Sequence, residues 1–252
     1  MKPFGYFITL LLGITITVSA STIRDVKILE ASENIKYITQ GIAKNYIYLY
    51  IYPNKDELKA TISNSIENLE ENIRIIAINT KDTKTKYILD FFAFEKEQLK
   101  ILLEKKQSAV AAGKVLDFSE ALTEGAENIS NSIRYDFTFE EKMFMRSKNI
   151  GYLVEKLSKY YMVLASDIDK TTIQEKVKQT IGLVEDDMNQ MRQYIYPKNL
   201  DKKKQDIAKF WELNKYYYTT IDSLKIPSIV LLSTSGLQDI MNKIAIHHGK
   251  GE

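Results

Sequence analysis

The chain contains no cysteine among its 252 residues. Disulfides and thiolate chemistry are therefore excluded, and stability has to come from packing. It also lacks a charge of one sign: 35 basic and 33 acidic residues are scattered along it and leave a net charge of +2. That balance gives no field to hold nucleic acid or an acidic polymer. Past Ser21 the longest apolar stretch is Ile226 to Ile246, and Gln238, Asp239, Asn242 and Lys243 interrupt it at the intervals of an amphipathic helix rather than a membrane span. With 44% hydrophobic and 27% charged residues, the composition is that of a globular protein able to bury a core.

The parts of the common catalytic sites are missing too. There is no His-Glu-x-x-His, no Glu-x-x-His pair, no G-x-S-x-G, no S-x-x-K and no G-x-x-x-x-G-K-[ST] or G-x-G-x-x-G. The two histidines, His247 and His248, are adjacent, so they point to different faces of a helix. This suits a frayed terminus better than a metal site. Acidic pairs such as Glu70/Glu71 and Asp186/Asp187 read as solvated or lysine-matched surface groups. In Tyr216-Tyr217-Tyr218 three consecutive rings cannot share a helix face, so core packing accounts for part of that cluster. No catalytic residue, metal ligand or cofactor is expected.

Residues 1–20 read as a secretory signal. Lys2 supplies the positive start, Phe4 to Val18 is almost wholly apolar, and Val18-Ser19-Ala20 fits a small-x-small cleavage site. An apolar run of about 15 residues falls short of the roughly 20 that span a bilayer. Cleavage after Ala20 and a periplasmic mature chain are expected.

The mature sequence repeats itself. N-I-K-Y-I-T-Q-G-I-A-K-N-Y-I from Asn34 recurs as N-I-G-Y-L-V-E-K-L-S-K-Y-Y-M from Asn149, displaced by 149 − 34 = 115 residues. The same displacement aligns Ile62, Ile66, Leu69, Ile73 and Ile76 with Val177, Ile181, Val184, Met188 and Met191, and Val115, Leu122 and Ile129 with Val230, Leu237 and Ile244. Phe94-Glu95 matches Trp211-Glu212 at a displacement of 117. Apolar residues at i, i+3, i+4 and i+7 predict helices throughout, and the alternating Tyr46–Tyr52 stretch reads as a helix end.

About four helices fit each copy, giving an all-α fold of two tandem antiparallel four-helix bundles. The expected organisation is a signal at 1–20, a first module at 21–136, a second at 137–248 and a tail at 249–252. Pro53 should end the first helix, with Asn54 or Asp56 capping the next, and Gly113-Lys114 should separate the third and fourth. Thr138-Phe-Glu-Glu141 has the form of a capping box. The absence of Pro and Gly between Ile129 and Asn149 allows the alternative of one continuous helix.

I-T-Q-G-I-A-K at Ile38–Lys44 and L-V-E-K-L-S-K at Leu153–Lys159 resemble L-S-Q-R-I-A-K. That motif, preceded by R-Q-R-M, marks the PilJ-type sensor module of type IV pilus methyl-accepting chemotaxis transducers and nitrate/nitrite sensor kinases. The resemblance implies a periplasmic helical bundle that binds a small anion such as nitrate where two first helices meet, in one chain or in a homodimer. The family's arginine before Met falls on Lys36 and Gly151, the later one on Gly41 and Lys156, and the first on Asn34 and Asn149. The implied ligand-binding residues are Asn34, Lys36, Gln40, Asn149 and Lys156, for a small anion or other solute. The expected partner is a membrane chemoreceptor or envelope protein, since the sequence stops at Gly251-Glu252 without a signalling segment. A scaffold or protein-interaction module with no small ligand is the alternative.

Overall fold

The computed structural model describes residues 6–168 and 171–249, with side chains from residue 23 onward except at 199. The side chains of the predicted signal segment, and most of the predicted tail, lie outside that range. Eight helices and no strand occur among the described residues: α1 (Tyr6–Ile51), α2 (Glu57–Asn79), α3 (Thr83–Leu103), α4 (Ala109–Ser132), α5 (Phe139–Ala165), α6 (Ile173–Arg192), α7 (Lys198–Thr219) and α8 (Pro227–Gly249). Among them no helix is long and apolar enough to cross a membrane.

The outer helices are amphipathic in the simple sense. α2 buries Ile62, Ile66, Leu69 and Ile76, and α6 buries Val177, Ile181, Val184 and Met191 at the positions 115 residues later. α1 and α5 are different, because consecutive residues are buried: Tyr46 to Leu49 in one and Tyr160 to Leu164 in the other. A helix covered all round must be central, and α1 does pack against α2, α4 and α5, while α5 packs against α1, α6 and α8. This is also why the alternation at Tyr46–Tyr52 belongs to a helix, as α1 runs to Ile51. α3 lies on α2 and α4, and α7 lies mainly on α8.

The 115-residue displacement relates polar interior positions as well as apolar ones. Ser32 and Ser147 are both buried, and each donates to the carbonyl four residues earlier, Ile28 and Met143, at 2.8 Å. Ser119 and Thr234 are likewise buried on α4 and α8. In α3 and α7 the same displacement pairs buried Phe92 with buried Ile207. The expected slip to 117 is not followed, since Phe94 is 60% exposed and Trp211 is 1% exposed.

Local signals decide the breaks. α4 ends at Ser132 and α5 starts at Phe139, so no continuous helix joins the two halves. The Thr138 hydroxyl accepts from the Glu141 amide at 3.3 Å, and the Glu141 carboxylate accepts from the Thr138 amide at 2.8 Å. This reciprocal box satisfies two amides that the first turn of α5 would otherwise leave free. Thr138→Ala is expected to lower stability by about 1 kcal/mol in urea denaturation, and an unchanged midpoint would show that the break does not depend on the cap. Gly113 does not separate α3 from α4. It lies inside α4, which starts earlier because the Ser108 hydroxyl accepts from the Ala111 amide at 3.2 Å. Asp56 stands at the start of α2, but its carboxylate binds the Lys59 ammonium at 2.8 Å instead of capping.

Candidate functional site between the central helices

The five residues singled out by the repeated motif all sit on the two central helices, and each has an intramolecular partner. Asn34 donates to Asn72 on α2 at 3.1 Å, and Asn149 donates to Asp187 on α6 at 2.7 Å. These are the same link in two copies, because 72 and 187 differ by 115. Asp187 also accepts from Arg146 at 2.6 Å. Lys36 pairs with Glu33 at 2.7 Å and lies 5.1 Å from the centroid of the Tyr152 ring. Lys156 donates to the Tyr152 hydroxyl at 3.1 Å and lies 5.4 Å from the same centroid. Lys36 and Lys156 therefore meet at one aromatic ring between α1 and α5. Gln40 is fully buried and donates to Thr123 on α4 at 2.7 Å, while its carbonyl oxygen has no partner.

The position 115 residues after Gln40 is Glu155, and here the copies diverge. Glu155 is 3% exposed, accepts from the Gln238 amide on α8 and forms an ion pair with Lys44 of α1 at 2.6 Å. This pair opens on a cavity of about 360 Å³ bounded by α1, α2, α5 and α8, whose lining includes Gly41, Asn45, Thr61 and Ser235. Its size falls in the range of about 300–1,000 Å³ typical of small-molecule sites. Tyr37 and Gln238 separate it from a second cavity of about 220 Å³, which Asn34 helps to line. Burial, with Glu155 and Asp239 nearby, raises the pKa of the Tyr37 hydroxyl well above the ordinary tyrosine range, so it stays protonated.

The counterpart of this place, bounded by α1, α4, α5 and α6, carries bulkier and charged side chains. Lys156, Tyr160, Lys176 and Glu120 stand there at the positions that correspond to Gly41, Asn45, Thr61 and Ser235. Lys159, the counterpart of Lys44, is fully buried and pairs with Glu120 on α4 at 2.5 Å. Its ammonium lies 4.8 Å from the Tyr160 ring centroid, and that of Lys176 lies 6.0 Å away. Burial pushes the Lys159 pKa down to about 8, against the opposing pull of Glu120. A Cβ on Gly41 would come within 3.0 Å of the Glu155 carboxylate, so even alanine would crowd the open site.

The histidines need correcting as well. His248 is not at a frayed end: it is 3% exposed, its Nδ1 lies 2.7 Å from Glu140 at the start of α5, and its Nε2 lies 3.0 Å from the Tyr196 hydroxyl. Glu140 also accepts from Tyr194 at 2.9 Å. Burial lowers the His248 pKa despite Glu140. The cluster ties the last turn of α8 to the first turn of α5. Among the described residues no group of three or more His, Asp and Glu side chains is placed to hold a metal.

Lys44, Glu155, Gln238 and Ser235 were not singled out by the motif. A signal for them did exist. Lys44 recurs as Lys159, whereas the partner positions change from Glu120 to Ser235 and from Gln40 to Glu155. Compared with known protein families, characterised proteins and solved structures, the chain matches none of them.

Proposed function

We propose that this chain is an exported, non-catalytic binding protein of two tandem four-helix bundles, which holds a small solute between its central helices and presents it to a membrane receptor. The observation that carries this reading is the cavity beside Lys44 and Glu155, a concave site with a few convergent polar groups. The PilJ-type resemblance supports a sensory role in the periplasm, with chemotaxis or pilus function as its setting. In that family the ligand sits where two first helices meet, and the pairing of α1 with α5 in one chain supports a site that needs no second copy. Nitrate or another lone anion is the less favoured ligand. Lys36 and Lys156 are already engaged with Glu33 and Tyr152, and Glu155 adjoins Lys44.

Thermal denaturation against a panel of amino acids, sugars, organic acids and inorganic anions tests this reading. A solute at 100 times its dissociation constant adds about 2.7 kcal/mol, which for a chain of this size raises the Tm by roughly 5–10 °C. If no solute moves the Tm, the binding reading fails. A scaffold without a small ligand then stands in its place, a role favoured by the complete internal pairing of Asn34, Lys36, Asn149 and Lys156. Co-purification of one envelope protein with the solute-indifferent chain would establish that alternative.

A further inference from the structure

We infer that the cavity beside Lys44 and Glu155 takes a zwitterion of the α-amino acid type, its carboxylate on the Lys44 ammonium and its ammonium on the Glu155 carboxylate. The inference rests on the binding reading above and gives it a ligand class.

The lining carries one positive and one negative group, 2.6 Å apart, both almost out of water. A ligand with a single charge would meet attraction from one and near-equal repulsion from the other, while losing its own hydration. A zwitterion laid head to tail against the pair satisfies both ends. Lys44 keeps N–H groups beyond the one directed at Glu155, and each Glu155 oxygen can accept more than one hydrogen bond. Both partners can thus bind the ligand without giving up each other. Asn45 and Ser235 supply neutral donors and acceptors around the pair, and Ile38, Leu58 and Leu231 form an apolar wall for a side chain.

The counterpart place around Lys159 shows how the same lysine is held when an acid faces it from α4. There Glu120 binds the lysine directly, and the Lys176 ammonium stands 6.0 Å from the Tyr160 ring centroid. At the Lys44 site the position of that acid is held by Ser235, which is exposed and donates to the Leu231 carbonyl. It therefore leaves the Lys44 side of the cavity open. Restoring the acid with Ser235→Glu should close the site at a surface position, without touching the core.

The test is isothermal titration calorimetry of the purified full chain with the twenty L-amino acids. For the best binder, the amine lacking its carboxylate and the 2-hydroxy acid lacking its ammonium are then titrated. The expected result is saturable binding of at least one amino acid, weakened at least tenfold in both analogues and abolished in Ser235→Glu. Glu155→Gln should lose preference for the amino acid over the hydroxy acid. Circular dichroism and the Tm of each variant separate lost binding from lost fold. Binding by sugars or lone anions only would overturn the ligand class and leave the binding reading intact. Amino-acid binding unaffected by Ser235→Glu would overturn this site, and no binding by any solute would overturn both.

Discussion

Glu120→Ala is expected to destabilise the protein by about 2–3 kcal/mol in urea denaturation, short of the full cost of breaking a pair buried on both sides because Glu120 is partly exposed. The reason lies in Lys159, whose side chain has no exposure and whose ammonium pairs with Glu120 at 2.5 Å. Removing the carboxylate leaves a buried cation with Lys156 and Lys176 as its charged neighbours, both repelling it. The converse change is expected to be mild. Glu120 is 36% exposed at its side chain, so in Lys159→Met it can turn to water and to Lys156 and Lys176. The double variant should regain most of the stability lost by Glu120→Ala. A loss below about 1 kcal/mol in Glu120→Ala would mean that Lys159 reaches water by another route.

The pH dependence follows with a definite sign. Lys159 in the folded chain titrates at about 8, below the ordinary lysine value of 10.5. Between those values the unfolded chain holds a proton that the folded chain has released, so this group's contribution to stability rises with pH across that window. It is least favourable below pH 8, where the charge is buried at full cost. Buried tyrosines such as Tyr160 and Tyr218, whose pKa values are raised, act in the opposite sense at higher pH. Relative to Lys159→Met, wild type should therefore gain stability from pH 7 to pH 10, below the range in which these raised tyrosines titrate in the folded chain.

The helices and their buried apolar positions were legible because each is a property of one segment at a time. Ile62/Val177, Leu69/Val184 and Leu122/Leu237 keep their apolar character at one displacement, and the structure buries both members of every pair. The capping box at Thr138 and Glu141 was legible for the same reason, since a cap is closed within four residues. The candidate site was not. Its two charges come from different copies, and nothing in the period of α1 says that Lys44 faces Glu155 rather than solvent. Its volume exists because Gly41, Asn45, Thr61 and Ser235 are small, and missing bulk leaves no pattern in a single sequence. The repeated motif pointed instead to Asn34 and Asn149, which recur because they link each central helix to its neighbour. His248 shows the opposite failure. Adjacency to His247 rules out a shared face, but it does not rule out burial of one ring against a helix start 108 residues away.

Trp211→Ala and Phe94→Ala are expected to differ by about 3 kcal/mol or more, although a displacement of 117 would make these residues counterparts. Trp211 is 1% exposed in α7 and ranks among the largest fully buried side chains. Truncating a buried aromatic ring of this size costs about 3–5 kcal/mol, from lost transfer energy and the cavity left behind. Phe94 is 60% exposed on α3, so its truncation should stay within about 0.5 kcal/mol. At 115 the partner of Trp211 is instead Lys96, whose side chain is 12% exposed and whose ammonium reaches Glu70 on α2 at 3.1 Å. The two copies thus fill one inward position with an indole and with the stem of a lysine, a long side chain that buries its methylenes and carries its charge outward. Trp211→Phe separates ring packing from the indole N–H, which is buried without a partner. It should cost much less than Trp211→Ala, because the lost N–H leaves no other group unpaired. Equal losses in Trp211→Ala and Phe94→Ala, measured by urea denaturation, would restore the 117-residue register and make the burial of Trp211 incidental to the duplication.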